Sequence, residues 1–328
     1  MAREEQLNLL REQRIHPLEP LKPMLKQWAG RGVLFGTSSW KYEGWIGQVY
    51  TRARYLVGSR FSKARFEQHC LEEYAEIFPS VCGDFSFYQF YSADFWRRLF
   101  AQVPPTFQFG FKAQEIITAP SFPDHARYGV HRGKPNETFL NHELFRREFL
   151  DLVAPYHRQV GYIVFQFPQL PAAVLGANHE FLDRLDRFLG ALPDLFRYGV
   201  EIRNENLLGP EYFQCLRQRG VSHVFNSWTR MPPIRKQLER PGSITSDLVI
   251  SRVLLKPGRT YEQAVQQFQP YREMRDQYPQ GFRDVAALVR TARTIPNTRV
   301  FVAVNNRFVG NAIYAIEEIL TELGSPAA

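Results

Sequence analysis

Phe107-Gln108-Phe109-Gly110-Phe111-Lys112 alternates a large aromatic ring with a small or polar residue through three periods. Successive side chains of a strand point to opposite sides, so the three rings share one face and Gln108, Gly110 and Lys112 share the other. The same parity recurs elsewhere. Val81, Gly83, Phe85 and Phe87 oppose Cys82, Asp84, Ser86 and Tyr88, while Val200 and Ile202 oppose Gly199, Glu201 and Arg203. An open doubly wound sheet needs both faces apolar to receive helices on each side. Strands with one apolar face and one small or polar face suit a closed barrel, with the apolar set under the helices and the polar set inside.

Outward from this stretch, short apolar runs alternate with amphipathic segments, the pattern of repeated βα units. Strands are expected at 33–37, 81–87, 107–111, 162–165, 198–202, 221–225, 248–252 and 299–304. Helical periodicity falls at 67–78, 144–156, 179–192, 210–219, 284–294 and 311–323. Eight such units predict an α/β fold of the (β/α)8, TIM-barrel-like type. No Pro-, Ser- or Gly-rich linker divides residues 32–328, which form one expected domain. Residues 1–31 are polar, carry Pro17, Pro20 and Pro23, and are expected to be an N-terminal extension or a partly helical arm outside the main fold.

Across 328 residues the hydrophobic fraction is 44% and the charged fraction 23%, ordinary for a globular chain. The net charge of +8 points toward an anionic partner, although charge speaks to association rather than to chemistry. Cys70, Cys82 and Cys215 are scattered without metal spacing and read as reduced thiols, the expectation for a cytoplasmic protein. No run approaches the length of a membrane span, and no membrane partner is expected. Oligomeric state is not legible.

Barrel enzymes carry their sites at the carboxyl ends of the strands. Here those positions hold Ser38, Ser39 and Trp40; Asp84, Ser86 and Tyr88; Lys112; Gln166; Glu201 and Arg203; Asn226; Arg252; and Asn305, Asn306 and Arg307. The first loop, Gly36-Thr37-Ser38-Ser39-Trp40-Lys41-Tyr42-Glu43-Gly44-Trp45, packs hydroxyls, a cation, a carboxylate and three large aromatics into ten residues. Ordinary turns have no use for such a composition, so the loop reads as a binding-site wall.

These motifs together resemble the YecE-like family, domain-of-unknown-function family seventy-two. The resemblance rests on the first loop with Trp45 and Tyr50, Phe87-Tyr88, Phe109-Gly110-Phe111-Lys112-Ala113 with Ile117-Thr118, and Phe165-Gln166-Phe167-Pro168. Val200-Glu201-Ile202-Arg203 and Asn305-Asn306 with Gly310-Asn311-Ala312 complete it. It spans residues 32–323 and implies a TIM-barrel-like fold, but no established activity. The chain departs from the family pattern at three places. Val81-Cys82-Gly83-Asp84 stands where the family has Val-Glu-hydrophobic-Asn, placing a thiol at the carboxylate position. Thr118-Ala119 stands for Thr-His, and Arg252-Val253-Leu254-Leu255 for Arg-Leu-His-Gly. One Glu and two His are thus replaced, which marks a divergent branch.

Each polar group has a chemical and a structural reading. Glu201 is either a general acid/base held by Arg203 or a buried partner of that guanidinium. Lys112 is a site cation or Schiff-base nucleophile, or else pairs with Asp84 or Glu201. Arg252 suits capture of phosphate or carboxylate. Asn305 and Asn306 bind ligand hydroxyls or cap the last βα turn. Cys82 has no His partner and reads as a buried thiol. His223 falls within a strand, the strand ends lack clustered metal ligands, and no Gly-rich phosphate loop occurs, so neither metal nor cofactor is expected. Three basic loops, 125–134, 230–240 and 256–259, would rise around the mouth as a positive rim.

The sequence therefore predicts a basic, aromatic-walled cleft that takes an anionic small molecule. Glu201, Lys112 and Asp84 are its candidate catalytic groups, and Ser38, Trp40, Tyr42, Tyr88, Gln166, Arg203, Arg252, Asn305 and Asn306 its ligand-binding groups. A metal-independent hydrolase or lyase is the leading reading. The alternatives are a nucleic-acid binder stacking bases on Trp40, Tyr42 and Trp45, and a glycosidase-like site using Asp84 and Glu201.

Overall fold

The computed structural model describes residue 18, residues 20–176 and residues 180–325. Eight parallel strands close into a barrel: β1 (Val33–Thr37), β4 (Ser80–Gly83), β5 (Gln108–Lys112), β6 (Val160–Gln166), β7 (Tyr198–Glu201), β8 (Ser222–Asn226), β9 (Leu248–Val253) and β10 (Arg299–Val304). Each strand lies beside its successor, and β10 returns to β1. A two-stranded hairpin, β2 (Leu56–Val57) with β3 (Arg60–Phe61), decorates the first crossover.

The two-residue parity decides what faces what. Phe107, Phe109, Phe111, Val81, Val200 and Ile202 join the large core between sheet and helices. Leu34, Cys82, Tyr162, Val164, Val224, Leu248, Ile250, Phe301 and Ala303 form a separate cluster inside the barrel. Glycines make room for the large interior rings. A Cβ on Gly110 would meet the Tyr162 ring at 2.1 Å, and one on Gly161 would meet Phe301 at 2.6 Å. Gly161 is the extra residue where the β5–β6 register shifts, since Phe109 pairs with Val160 but Gly110 with Tyr162. The interior is thus a filled core up to its last layer, where the polar strand ends begin.

Four expectations need correction. The strand expected at 81–87 stops at Gly83, and Asp84–Phe87 forms a 3-10 turn. Ser86 causes this: its hydroxyl bonds the Gly83 carbonyl at 2.9 Å and the Lys112 carbonyl at 2.7 Å, and accepts from the Lys112 amide at 3.1 Å. A side chain has taken over part of the work of the ladder. The periodic segment 144–156 is not one helix, because a π-helical turn at Arg146–Leu150 interrupts it. The helix expected at 179–192 is Glu180–Gly190, and His179 lies outside the described residues. Finally, the region expected to sit outside the fold supplies a helix, Leu21–Gly30, whose Leu21, Leu25 and Trp28 are buried in the main core. Its Pro23 falls in the first turn, where the missing amide is least costly.

Two results test this packing. A Cβ on Gly36 would lie 2.0 Å from the Ser80 carbonyl oxygen, and neither backbone can retreat without breaking β1–β4 pairing. Gly36→Ala should cost on the order of 3 kcal/mol, whereas Gly30→Ala, with nothing within 4 Å of the new methyl, should cost none; urea midpoints measure both. His223 packs between Tyr212, Phe213 and Phe225, and burial pushes its pKa down to about 3. Below the ordinary imidazole value the unfolded chain takes up a proton that the folded chain refuses until about pH 3. Stability should therefore fall as pH drops through that window, and His223→Phe should make the fall shallower in denaturation series run from pH 7 to pH 4.

Candidate functional site

At the carboxyl ends of the strands lies a cavity of about 820 Å³. Its centre is organised by Arg252 on β9, which is almost completely buried. One guanidinium nitrogen bonds both Glu201 Oε2 on β7 and, at 2.9 Å, Gln166 Oε1 on β6. The other bonds Asp84 Oδ1, beyond β4, at 2.9 Å. Glu201, 0% exposed, also holds Arg203 as an ion pair at 2.6 Å. Burial alone would push the Glu201 carboxyl upward, but Arg252 and Arg203 together outweigh it and keep the pKa below the ordinary carboxylate value. Glu201 is an ionised anchor behind the cavity wall, and it does not line the cavity.

Arg203 lies 3.7 Å from the Trp228 ring centre, and burial lowers its pKa to about 10. Its Nε and Nη1 have no hydrogen-bond partner among the described residues. The Nε atoms of Arg252 and Arg307 and the hydroxyl of Ser38 are likewise buried and unpartnered. Arg307 is held by Asn305 Oδ1 at 3.3 Å and the Tyr261 hydroxyl at 2.9 Å. Lys112, at the end of β5, is 5% exposed, with its Nζ 3.6 Å from the Phe87 ring centre. Burial holds its pKa down to about 8, partly opposed by Asp84. The expected pairing of Lys112 with Asp84 or Glu201 does not occur among the described residues, because Arg252 has taken both carboxylates.

The cavity wall contains Ser38, Tyr42, Tyr88, Asp84, Lys112, Gln166, Arg203, Arg252 and Asn305 from the sequence-derived set. Three of that set do not reach it. Trp40 is buried against the edge of Phe85 at 5.7 Å. Asn306 is buried and uses its Oδ1 to accept the Ala312 amide at the start of the last helix, the capping role. Glu201 is the third. Trp45 is also fully buried, 4.7 Å from Tyr42 and stacked near Tyr50. The first loop is largely structural: a Cβ on Gly44 would strike the Pro270 carbonyl at 2.0 Å, and Gln48 bonds the Arg272 carbonyl at 2.6 Å. It braces the loop after β9, and Tyr42 alone of its large aromatics faces the cavity.

Sequence reasoning missed Trp228 and Tyr261, and it named Arg230 only as a rim cation and Arg307 only as a strand-end residue, whereas all four line the cavity. Trp228 lies two residues past a strand, a position that could have flagged it; Tyr261 begins a helix and carried no signal. Most of the rim cations are held in ion pairs, two of the carboxylates each serving two cations. Arg127 pairs with Glu115, Arg132 with Asp124, Arg235 and Lys236 with Glu239, Arg240 with Glu205, and Lys256 and Arg259 with Asp276. Cys82 points into the barrel beside Asp84, its thiol 3.6 Å from Oδ1, and burial raises its pKa to about 12. Among the described residues no three His, Cys, Asp or Glu side chains converge as metal ligands, and no helix is long and apolar enough to cross a membrane.

The fold has solved counterparts. Two structures of a DUF72 family protein from Enterococcus faecalis V583 superpose with TM-scores of 0.59 and 0.56 at 17% and 16% identity. They cover 90% and 89% of this chain and 97% of theirs. A DUF72 family protein from Thermotoga maritima MSB8 gives a TM-score of 0.53 at 19% identity, covering 88% of this chain and 97% of its own. Identities this low speak to the fold alone. Among curated proteins none matches. The model of the family described as protein of unknown function DUF72 matches residues 34–328, from the second residue of β1 through every strand and site residue above, and the chain belongs to that family.

Proposed function

We propose that the protein binds a small anionic organic molecule, phosphorylated or carboxylated, at the mouth of the barrel and acts on it as a lyase-type catalyst. The observation that carries this reading is the set of buried donors around the cavity that are unpartnered among the described residues: Arg203 Nε and Nη1, Arg307 Nε and the Ser38 hydroxyl. Leaving a buried charged donor unmet costs more than the 1–3 kcal/mol typical of a neutral group. Anionic oxygens are the natural complement, and a guanidinium offers them two parallel bonds. Lys112, Arg203, Arg230, Arg252 and Arg307 line the cavity against Asp84 and Glu262, with Glu201 behind, so an excess of positive charge supports the same sign of ligand.

The electrostatics also weigh between reaction types. A glycosidase-like pair needs two carboxylates free to carry protons or attack. Asp84 and Glu201 instead share one guanidinium, and Glu201 is enclosed. Hydrolysis with Glu201 as the base meets the same objection. Extended nucleic-acid binding has less support, since Trp40 and Trp45 are buried and most rim cations are already in ion pairs. Tyr88 and Tyr261, 58% and 44% exposed, are the most exposed of the aromatics lining the cavity and the most open to a ligand ring.

Calorimetric titration with ribose 5-phosphate, inorganic phosphate and a single-stranded oligonucleotide tests this reading. The sugar phosphate should bind saturably with one site per chain, and Arg307→Ala should weaken it at least tenfold. Arg235→Ala, in a rim ion pair, should leave affinity unchanged. Tight, salt-sensitive oligonucleotide binding that falls equally with Arg235→Ala would replace the small-anion reading with a nucleic-acid one. The anchoring role of Glu201 has its own test. Glu201→Gln should lose about 3–5 kcal/mol of stability, because it strands two buried guanidiniums; unchanged thermal and urea stability would return Glu201 to the list of acid/base candidates.

A further inference from the structure

We propose that Lys112 is a nucleophile that forms an imine with a ketone or aldehyde carbon of the ligand. The substrate class, a carbonyl compound that also carries a phosphate or carboxylate, rests on the anionic-ligand reading above; the imine chemistry stands on the lysine itself.

Four features of Lys112 support this. It is the last residue of β5 and lines the cavity. Its backbone is fixed on both sides by one hydroxyl, since Ser86 accepts from the Lys112 amide at 3.1 Å and donates to its carbonyl at 2.7 Å. Its amine lies against the Phe87 ring at 3.6 Å and, among the described residues, has no carboxylate or hydrogen-bond partner. Both neighbouring carboxylates are committed to Arg252. A lysine kept only for charge balance would hold one of them. Burial also brings the pKa to about 8, so at pH 7.5 it holds roughly 200 times the neutral fraction of an ordinary surface lysine.

The step balances without an oxidant or reductant. The neutral Nζ adds its lone pair to the carbonyl carbon, and the π pair of the C=O bond moves to oxygen. A proton passes from the new ammonium to that oxygen, giving a neutral carbinolamine. The transfer runs through solvent reaching the open cavity, since both nearby carboxylates are held by Arg252. The carbinolamine hydroxyl then takes a proton drawn from solvent and leaves as water, while the nitrogen lone pair forms the C=N bond. The product is an iminium that retains one N–H and carries the positive charge. It withdraws electrons from the adjacent carbon, which is what a lyase breaking a bond next to a carbonyl requires.

Pyridoxal 5′-phosphate, an anionic aldehyde, and pyridoxal, its phosphate-free counterpart, are suitable probes. Each is incubated with the intact protein, reduced with borohydride and located by peptide mass mapping. Pyridoxal 5′-phosphate should modify Lys112 ahead of the exposed Lys41 and Lys63, with an initial rate that rises to half its plateau near pH 8 and is suppressed by inorganic phosphate. Lys112→Arg and Lys112→Met should lose that adduct while keeping the thermal transition. Surface lysines modified with Lys112 untouched by either aldehyde would overturn the imine proposal, whether or not the titrations find an anion site. Equal modification of Lys112 by both aldehydes, without protection by phosphate, would retain the imine and overturn the anionic substrate class.

Discussion

The upper half of this barrel is arranged around one buried positive charge. The Arg252 guanidinium reaches from β9 to β6, β7 and the turn after β4, so it ties β9 to strand ends that are not its neighbours in the sheet. A buried ion cluster of this kind is not a cheap source of stability, because the desolvation of each charge offsets much of the attraction. Its effect is on geometry. Gln166, Glu201 and Asp84 are fixed relative to one another, and Arg203 is fixed through Glu201. Every group facing the cavity from that side takes its position from this fork.

The chemistry available at the mouth follows from the same constraint. Once Arg252 and Arg203 have claimed Glu201, and Arg252 has claimed Asp84, Glu201 is an enclosed, ionised anchor and Asp84 is tied down at the cavity wall. Lys112 is then the cavity group whose protonation is poised near neutrality, because burial lowers its pKa while the nearby acids are only partly available to restore it. A site that looks from its composition like paired acids becomes, in three dimensions, a set of fixed cations and one deprotonable amine.

The fold was legible because parity is local. Phe107, Phe109 and Phe111 need only strand geometry to share a face, and that face must be covered by helices. The site was legible at the strand ends, where position alone puts Ser38, Asp84, Lys112, Gln166, Arg203, Arg252 and Asn305 at one mouth. What failed depended on partners distant in sequence. Nothing near Trp40 announces that Phe85 will cover it, and nothing near Gly44 announces the close approach of Pro270. The rim misled for the same reason: Arg240 is paired with Glu205, 35 residues away, and Arg259 with Asp276. The turn at Asp84–Phe87 escaped because its alternation is perfect and only the bond from Ser86 to β5 breaks it.

The chain's departure from the family pattern at Cys82 bears on the same charges. The thiol points into the barrel beside Asp84 and stays protonated, since burial raises its pKa to about 12. A glutamate at this position, as in the family pattern, would bring a third carboxylate within reach of Arg252 and Lys112. It would lower the positive potential at the floor of the cavity, and by favouring the ammonium form it would raise the pKa of Lys112. With a neutral thiol there, the cations at the floor outnumber the anions, and the Lys112 amine keeps its low proton affinity. The replacement of one acid by one thiol therefore acts in a single direction, toward a more positive cavity floor and a lower proton affinity at Lys112.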